Sequence, residues 1–187
     1  CTENQIFLIE DSAHALGSHY QDKHCGGLGD SSVFSFTPHK IITMGQGGMV
    51  LTDNLETYEK LIKLKTFNRA KDKSDWHEGF GLNFKITDLQ SALGLSQLSR
   101  LDSLIQKKKN IFQYFYENLE RVEMINFKEY ETPWFIDIIL STEDECNKLA
   151  NHLKENFIET RYCYPPLSLQ EYLIDSEHED LQHSEDI

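Results

Sequence analysis

The sequence predicts an α/β protein in three parts: an α/β layer over residues 1–84, a connecting helical region over 85–121, and a small α+β unit over 122–187. Two patterns support this prediction. In the first part, short β-prone apolar runs alternate with glycine turns and one helical segment. In the last part, two strand-like runs flank an amphipathic helical stretch. An apolar repeat at helical steps joins the two.

The first part contains three predicted strands. The run "IFLIE" (6–10) is apolar throughout, which is typical of a strand inside a parallel sheet. The runs "VFSF" (33–36) and "MVLT" (49–52) are the other β-prone segments. A helix is predicted over 55–65, where apolar side chains recur at helical spacing, and the polar, glycine-bearing segment 68–83 is predicted to be a loop.

The connecting region opens on a helix-start signal. Thr87 and Gln90 have the spacing of a capping box, with Thr87 as the N-cap residue. Leucine, isoleucine and phenylalanine then recur at steps of three, four or seven as far as about Arg121. This pattern predicts one long helix, with Gly94 as the candidate point for a bend.

The last part predicts a strand, a helix and a second strand. The strand is "PWFIDIIL" (133–140), and "STEDE" (141–145) is the capping segment of the helix. The predicted inward side chains of that helix are Cys146, Leu149 and Leu153. The run "IETRYCY" (158–164) predicts the second strand, which Pro165 and Pro166 end because proline cannot donate to a sheet.

Composition narrows the classes of function. The formal net charge of −13 argues against a nucleic-acid partner, because binding phosphates requires a basic surface. No apolar run approaches the roughly 18 residues needed to cross a bilayer, so no membrane span is predicted. The four cysteines are scattered, without the paired spacing of a zinc site. We therefore expect no metal and a reducing, cytoplasmic compartment.

The sequence at each end of the chain supports a separate prediction. The chain starts at Cys1 and enters its first predicted strand within a few residues, with only two further strand candidates nearby. Because a parallel strand needs neighbours on both sides, we expect this chain to be a piece of a longer protein. The acidic segment "DSEHEDLQHSEDI" (175–187) is predicted to be a solvated loop.

Several polar groups are predicted to gather at one edge of the sheet. Asp11 follows the first predicted strand, and His14 lies three residues further on. Ser35 and Lys40 stand at the end of the second strand, and the glycine turn "GQGGMV" (45–50) lets the backbone pass close to a ligand. Ligands of open α/β sheets bind beyond the carboxyl ends of the strands, so this edge is the candidate site.

Each of these residues also has a plainer interpretation. Asp11 could be the N-cap of "SAHAL", and His14 could be an ordinary packed or surface histidine. The glycines could serve only a tight turn, and Lys40 could be solvated. The combination of carboxylate, imidazole, hydroxyl and amine favours a functional site.

The motifs around these residues resemble a known family. The segments are "IEDSAHALGSHYQDKHCGGLGDSSVFSFTPHKIITMGQGGMVLTD" (9–53), "GLNFKITDLQSALGLSQLSRL" (81–101) and "IETRYCYPPL" (158–167). They are similar, in the same order, to the pyridoxal-phosphate-dependent nucleotide-sugar aminotransferases of the DegT family. The resemblance implies the aspartate aminotransferase fold (fold type I), here as part of the large α/β domain followed by part of the small α+β domain. Family members are longer, so an N-terminal part and a C-terminal segment would be missing.

The resemblance also implies a role for each site residue. Lys40 matches the lysine that forms a Schiff base with pyridoxal 5'-phosphate and later shuttles a proton. Asp11 matches the carboxylate that pairs with the pyridine nitrogen, and His14 matches a position beside the phenolic oxygen. Ser35 matches a hydroxyl that binds the cofactor phosphate. Asn83 matches an asparagine that reaches into the neighbouring subunit's site.

The activity implied is transfer of an amino group, with L-glutamate as the expected donor, to a keto group on a nucleotide-linked sugar. The implied assembly is a homodimer with shared active sites. "EDSAHALG" (10–17) resembles members that act on 4-keto-6-deoxy sugars.

Two positions depart from the family pattern, since Thr37 stands where histidine is usual and Gln46 where glutamate is usual. Related sugar dehydratases carry histidine in place of the Schiff-base lysine. Counting five residues from Ser35 reaches Lys40 and not His39, which favours transamination. The alternatives are a dehydratase relative or an inactive fragment that binds only a sugar or a partner.

Overall fold

The computed structural model describes residues 1–173 and divides into two compact units, Cys1–Ile139 and a second unit that begins at Leu140. The predicted loop at 175–187 lies outside the described residues. The predicted three-part division, with boundaries after residues 84 and 121, stays a prediction about the domains of the protein.

Along the described residues, five short strands come first, followed by three helices, two further strands and a last helix. The strands are β1 (Ile9–Asp11), β2 (His19–Tyr20), β3 (Lys23–His24), β4 (Ser31–Ser35), β5 (Gly48–Thr52), β6 (Glu123–Met124) and β7 (Ile138–Ile139). The helices are α1 (Leu55–Lys65), α2 (Asp88–Leu98), α3 (Leu101–Asn118) and α4 (Glu143–Glu155). The α/β class predicted from the sequence is confirmed.

The main sheet has the order β1-β4-β5 and mixes two directions. β1 and β4 are parallel, with Asp11 opposite Val33, whereas β4 and β5 are antiparallel, with Ser35 opposite Gly48. The carboxyl ends of β1 and β4 therefore lie side by side, and β5 starts at the same edge. This arrangement brings the segments that carry Asp11, Ser35 and Lys40 to one place.

The first strand is shorter and more exposed than predicted. The run 6–10 was expected to lie inside a parallel sheet, but the strand covers Ile9–Asp11 and Ile9 is 63% exposed. Within the described residues β1 pairs with β4 on one side alone. A continuous apolar run predicts that a strand is suited to burial, but it does not supply the neighbour that buries it.

A small apolar core lies behind the sheet edge. Phe36, Ile42 and Met44 are buried together, and Leu101 at the start of α3 packs against them. Met44 also touches α2, because a Cβ on Gly94 would lie 2.7 Å from its Cγ. Gly94 is thus needed for close packing.

The predicted bend at Gly94 is wrong. The break in the long helical region comes at Ser99–Arg100, between α2 and α3. There the Ser99 hydroxyl and the Arg100 Nε–H both donate to the carbonyl of Ser96. Side-chain hydrogen bonds of this kind compete with continuation of a helix. The capping box at the start of α2 is confirmed, since Thr87 Oγ1 accepts from the Gln90 amide and the Gln90 side chain accepts from the Thr87 amide.

The strands predicted after the helices are mostly irregular. Of the run 133–140, Ile138–Ile139 alone forms a strand, and it pairs with β6, which the sequence did not predict. Residues 158–164 form no strand in the described part of the chain. A strand exists only if a partner accepts its hydrogen bonds, and the described neighbourhood of this run supplies none.

The last helix matches its prediction. Thr142 caps α4 by accepting from the Glu145 amide, and Cys146, Leu149 and Leu153 lie on its less exposed face. The run Pro165–Pro166 leads into a short 3-10 turn, Leu167–Leu169. No helix found within residues 1–173 has the length and apolar character needed to cross a membrane.

Candidate active site

Asp11 ends β1 and turns the chain. Its Oδ1 accepts a hydrogen bond of 3.1 Å from the amide of Ala13, and the residues after the strand form turns and no helix. The Asp11 side chain therefore does bind a nearby backbone amide, as an N-cap residue would, but it does so in an Asx turn and not at a helix N-terminus. The neighbouring Ser12 is almost fully buried, which fixes the backbone that carries Asp11.

The preceding residue, Glu10, fixes the loop between β3 and β4. Its carboxylate accepts hydrogen bonds from the amides of Gly26, Leu28 and Gly29, at 2.8, 2.6 and 2.6 Å. Burial opposes the ionisation of Glu10, but these three amides outweigh it and lower its pKa. This structural carboxylate holds the segment that leads into β4, while Asp11 remains at the site.

Lys40 lies in a loop between β4 and β5 that buried side chains hold in place. The loop is closed by hydrogen bonds from the amide of Met44 to the carbonyl of Phe36 and from the amide of Phe36 to the carbonyl of Gly47. Phe36, Ile41 and Met44 are buried on either side of Lys40. Lys40 itself is half-buried, so it is not a freely solvated loop end.

Helix α2 supports the same loop. The Gln97 side chain accepts from the amide of Thr43 at 2.9 Å, and the Gln90 side chain donates to the carbonyl of Gln46 at 3.1 Å. The glycine turn and the segment after Lys40 are therefore tied to a capped helix. Gln46 takes part through its backbone, so the departure from the family pattern at this residue leaves this contact unaffected.

Trp134, which the sequence places within a predicted strand (133–140), completes the cluster. The Lys40 Nζ lies 4.1 Å from the centroid of the Trp134 ring, and the His14 ring centroid lies 3.4 Å from it. The Trp134 Nε1–H donates to the carbonyl of His39 at 2.9 Å. Trp134 sits outside the β6–β7 pairing, next to Pro133. A tryptophan directly after proline in a predicted strand is the signal that could have drawn attention to it.

The charges at this edge influence one another. Burial lowers the pKa of Lys40, and the carboxylate of Asp11 partly opposes that effect. Burial also lowers the pKa of His14, the positive charge of Lys40 lowers it further, and Asp11 again opposes. His14 and Lys40 both lie against the Trp134 ring, and the carboxylate of Asp11 acts on both, so the structure brings these three groups together. Their roles in a shared site stay predictions. The site favours a neutral lysine amine and a neutral imidazole at lower pH than in free solution.

Ser35 is the last residue of β4, and its Oγ lies 3.3 Å from the Oγ1 of Thr37. Two hydroxyl groups therefore stand together at the strand end. Hydroxyls in such a pair can donate to an anionic oxygen. The role of Ser35 in binding a phosphate stays a prediction.

Asn83 lies apart from these residues within the described chain. It forms an isolated bridge with Thr66 and is exposed, and no described hydrogen bond or ring contact joins it to Asp11, His14 or Lys40. Its predicted role in a neighbouring subunit's site stays a prediction. Among residues 1–173, no group of three or more His, Cys, Asp or Glu side chains is placed to hold a metal ion.

Comparison with known proteins identifies close relatives of this arrangement. The profile of the DegT/DnrJ/EryC1/StrS aminotransferase family matches residues 1–187. The chain is 35% identical over 165 residues to the GDP-perosamine synthase of Escherichia coli O157:H7, and the match covers 87% of this chain and 45% of that protein.

Solved structures of aminotransferases also match this chain. PseC from Helicobacter pylori, an aminotransferase involved in the biosynthesis of pseudoaminic acid, matches with a TM-score of 0.87 and 28% identity, over 100% of this chain and 53% of that one. The PLP-form of Spr1654 from Streptococcus pneumoniae matches with a TM-score of 0.79 and 25% identity, over 92% and 47% of the two chains. The predicted fold, part of a fold-type-I pyridoxal-phosphate-dependent transferase, is confirmed. The chain spans about half the length of the relatives it matches.

Proposed function

This chain belongs to the DegT/DnrJ/EryC1/StrS aminotransferase family, and on that premise we propose that it forms part of an enzyme that transfers an amino group to a nucleotide-linked ketosugar. The convergence of Lys40, Asp11 and His14 at the end of β1 is the observation that supports this proposal. A decayed relative that binds only a sugar or a partner would have no need for a half-buried lysine coupled to a carboxylate.

The residues at the site fit pyridoxal 5'-phosphate as the cofactor. They supply a reactive amine in Lys40, a carboxylate in Asp11 and a hydroxyl pair in Ser35 and Thr37. When bound, pyridoxal 5'-phosphate supplies an aldehyde that condenses with amines and an aromatic ring that accepts electrons from the substrate carbon. Lys40 would hold the aldehyde, Asp11 the protonated ring nitrogen, and Ser35 the phosphate.

The chain's own residues perform the proton chemistry. Burial lowers the pKa of Lys40, so more of its amine is neutral and nucleophilic at a given pH. The same amine can take a proton from the substrate carbon and return it elsewhere. Asp11 would keep a proton on the ring nitrogen through its negative charge. His14, whose pKa is lowered by burial and by Lys40, would stand as a neutral imidazole beside the cofactor's phenolic oxygen.

The substrate and the assembly are finer parts of the proposal. A relative named for GDP-perosamine supports a nucleotide-linked sugar as the acceptor, and we take L-glutamate as the amino donor. We further propose a homodimer with shared sites, in which Asn83 serves the partner's cofactor. All four cysteines are free thiols, which fits a reducing, cytoplasmic compartment.

Covalent trapping tests the cofactor and the lysine together. The full-length protein is incubated with pyridoxal 5'-phosphate, reduced with borohydride and mapped by peptide mass spectrometry. We expect the label on Lys40, its loss in Lys40→Ala, and no change in Lys60→Ala, a control at an exposed helix position. A label on other lysines alone, or none, would contradict the assignment of Lys40.

Substrate transfer is then tested with L-glutamate and a panel of GDP-, UDP- and dTDP-linked ketosugars. We expect an aminosugar product from at least one of them in the wild-type protein. A dehydrated product without incorporated nitrogen would support the dehydratase alternative. If Lys40 is labelled but no ketosugar reacts, the proposed cofactor would stand and the proposed sugar acceptor would be wrong.

A further inference from the structure

We propose that Trp134 is a positioning residue for Lys40. The lysine amine lies over the indole ring, and the His14 ring packs against the same indole. This inference rests on the proposed function, in which Lys40 takes part in the transfer of the amino group. Its structural part, the contact between the indole and the two side chains, can be tested without any cofactor.

Trp134 makes three separate contacts with the site. The ring lies under the Lys40 Nζ at 4.1 Å, within the range of a cation–π interaction. The same ring faces the His14 ring at 3.4 Å between centroids, with the planes tilted by 30°. The Nε1–H donates to the carbonyl of His39, the residue just before the lysine. One side chain therefore fixes both the backbone and the amine end of the lysine.

The backbone that carries the indole is itself anchored. Thr132 is 3% exposed, and its amide donates to the Ser18 hydroxyl at 2.9 Å. Lys108 of α3 donates to the carbonyl of Trp134 at 3.3 Å, and the Phe135 ring stacks on the indole at 3.9 Å. These contacts hold Trp134 from α3 and from the turn region after β1. The indole is thus a fixed support for the lysine.

The charged and titratable groups around the indole determine what its removal should do. His14 and Lys40 face the ring directly, and Asp11 acts on both of them. His39 offers its carbonyl, and Lys108 holds the carbonyl of Trp134 from the other side. An aromatic face attracts the ammonium form of Lys40, whereas burial disfavours it. A leucine in place of the indole keeps the apolar bulk and removes the attraction.

Competitive labelling with acetic anhydride measures the titration of each lysine without a cofactor. In the full-length protein, Trp134→Leu should move the midpoint of Lys40 to lower pH by about half a unit, the shift that a cation–π contact of about 0.7 kcal/mol produces. Trp134→Phe keeps an aromatic face and should retain most of the wild-type midpoint. A role confined to packing would show no such difference between the two variants.

The chain contains a matched control pair. Lys73 Nζ lies 5.0 Å over the ring of Trp76, an exposed indole away from the site. Trp76→Leu should leave the Lys40 midpoint unchanged, and Lys73 serves as the internal reference in the Trp134 variants. An unchanged Lys40 midpoint in Trp134→Leu, or an equal shift in both Trp134 variants, would overturn the proposal.

Fluorescence keeps the proposal testable if Trp134→Leu does not fold. Within residues 1–187, Trp76→Phe leaves Trp134 as the one tryptophan, and its emission is the part that is lost on going from Trp76→Phe to Trp76→Phe/Trp134→Phe. A protonated imidazole in contact with an indole quenches this emission. We expect the emission to fall as His14 gains its proton, with a midpoint below the ordinary value for histidine, and this titration to vanish in Trp76→Phe/His14→Gln. No titration, or one that persists without His14, would overturn the contact. Because neither measurement uses pyridoxal 5'-phosphate, failure of the proposed function would be seen separately, in the trapping experiment.

Discussion

Lys40 shows how the surroundings of one residue determine its chemistry. Its neighbours along the chain, Phe36 and Ile41, are buried, and they draw the lysine partly out of water. Burial is the larger influence on its pKa, and the carboxylate of Asp11 is the smaller, opposing one. The outcome is an amine that loses its proton at lower pH than a free lysine, which is what a nucleophilic role requires.

Asp11→Asn separates the charge of Asp11 from its role in the turn. Asparagine can still accept from the Ala13 amide, so the turn should persist. The lost charge should reduce turnover by about 100-fold or more, a scale typical of preorganised electrostatic groups. Because Asp11 raises the pKa of Lys40 and of His14, both midpoints should move to lower pH in the variant. Steady-state rates and acetic anhydride labelling measure the two effects.

An exposed aspartate outside the site serves as the control for that prediction. Asp53→Asn, after β5, should change neither turnover nor the Lys40 midpoint. Near-normal turnover in Asp11→Asn would leave Asp11 with its turn role alone.

The site could be predicted from the sequence where it depends on nearby residues. Asp11 and Lys40 each follow a predicted strand, and the carboxyl ends of parallel strands lie at the same edge of a sheet. The proximity of the two residues could therefore be predicted. Trp134 was not foreseeable in the same way, because it lies 95 residues from His39, to which it donates. No local pattern encodes a contact across that separation.

At the scale of elements, helices were predicted better than strands. α1 spans the predicted 55–65, and the capping box at Thr87 and the cap within 141–145 lie where expected, because helical hydrogen bonds are local. The run 158–164 has strand composition and yet forms no strand in the described residues, because strands depend on partners. The break after α2 also escaped prediction, since it arises from side-chain bonds to the Ser96 carbonyl and not from a glycine.

The segment that carries Asn83 depends on close backbone packing. Phe67 donates to the carbonyl of Leu82, and Leu82 donates to the carbonyl of Leu64. A Cβ on Gly81 would collide with the backbone of Phe67 and Asn68, which cannot move aside as a side chain can. Gly81→Ala should therefore lower the free energy of unfolding by about 2 kcal/mol or more, as overpacking does. Urea denaturation of the full-length protein measures it.

Gly79→Ala is the matched control, two residues away on the same segment. Its Cβ would lie 2.9 Å from the Nδ2 of Asn68, the mobile end of a side chain. We expect a loss within about 1 kcal/mol. Equal losses in the two variants would show that the close approach of residues 67 and 81 does not govern the stability of this segment.

At the scale of the whole molecule, the same segment has the character of an interface. Phe80 is 76% exposed and Phe84 69%, on either side of the exposed Asn83. Large aromatic rings grouped on a surface are typical of protein contacts. Asn83 makes no described contact with Lys40 in its own chain, and the proposed role of Asn83 is in the site of a second copy. The proposed shared site supplies that copy through a two-fold dimer.

Complementation between two inactive full-length variants tests the shared site. Asn83→Asp should weaken cofactor binding by placing a carboxylate against the partner's cofactor phosphate, and Lys40→Ala removes the covalent anchor. In a mixed dimer one site carries both defects and the other neither. Equimolar subunit exchange should therefore restore about a quarter of wild-type activity, because half of the dimers are mixed and each has one intact site.

The matched control is a mixture of Lys40→Ala with Asp11→Asn. Both residues belong to the same chain's site, so every site in that mixed dimer keeps one defect and no recovery should appear. No recovery with Asn83→Asp, despite proven exchange, would place Asn83 outside the partner's site, and a fully active monomer would exclude the shared site altogether.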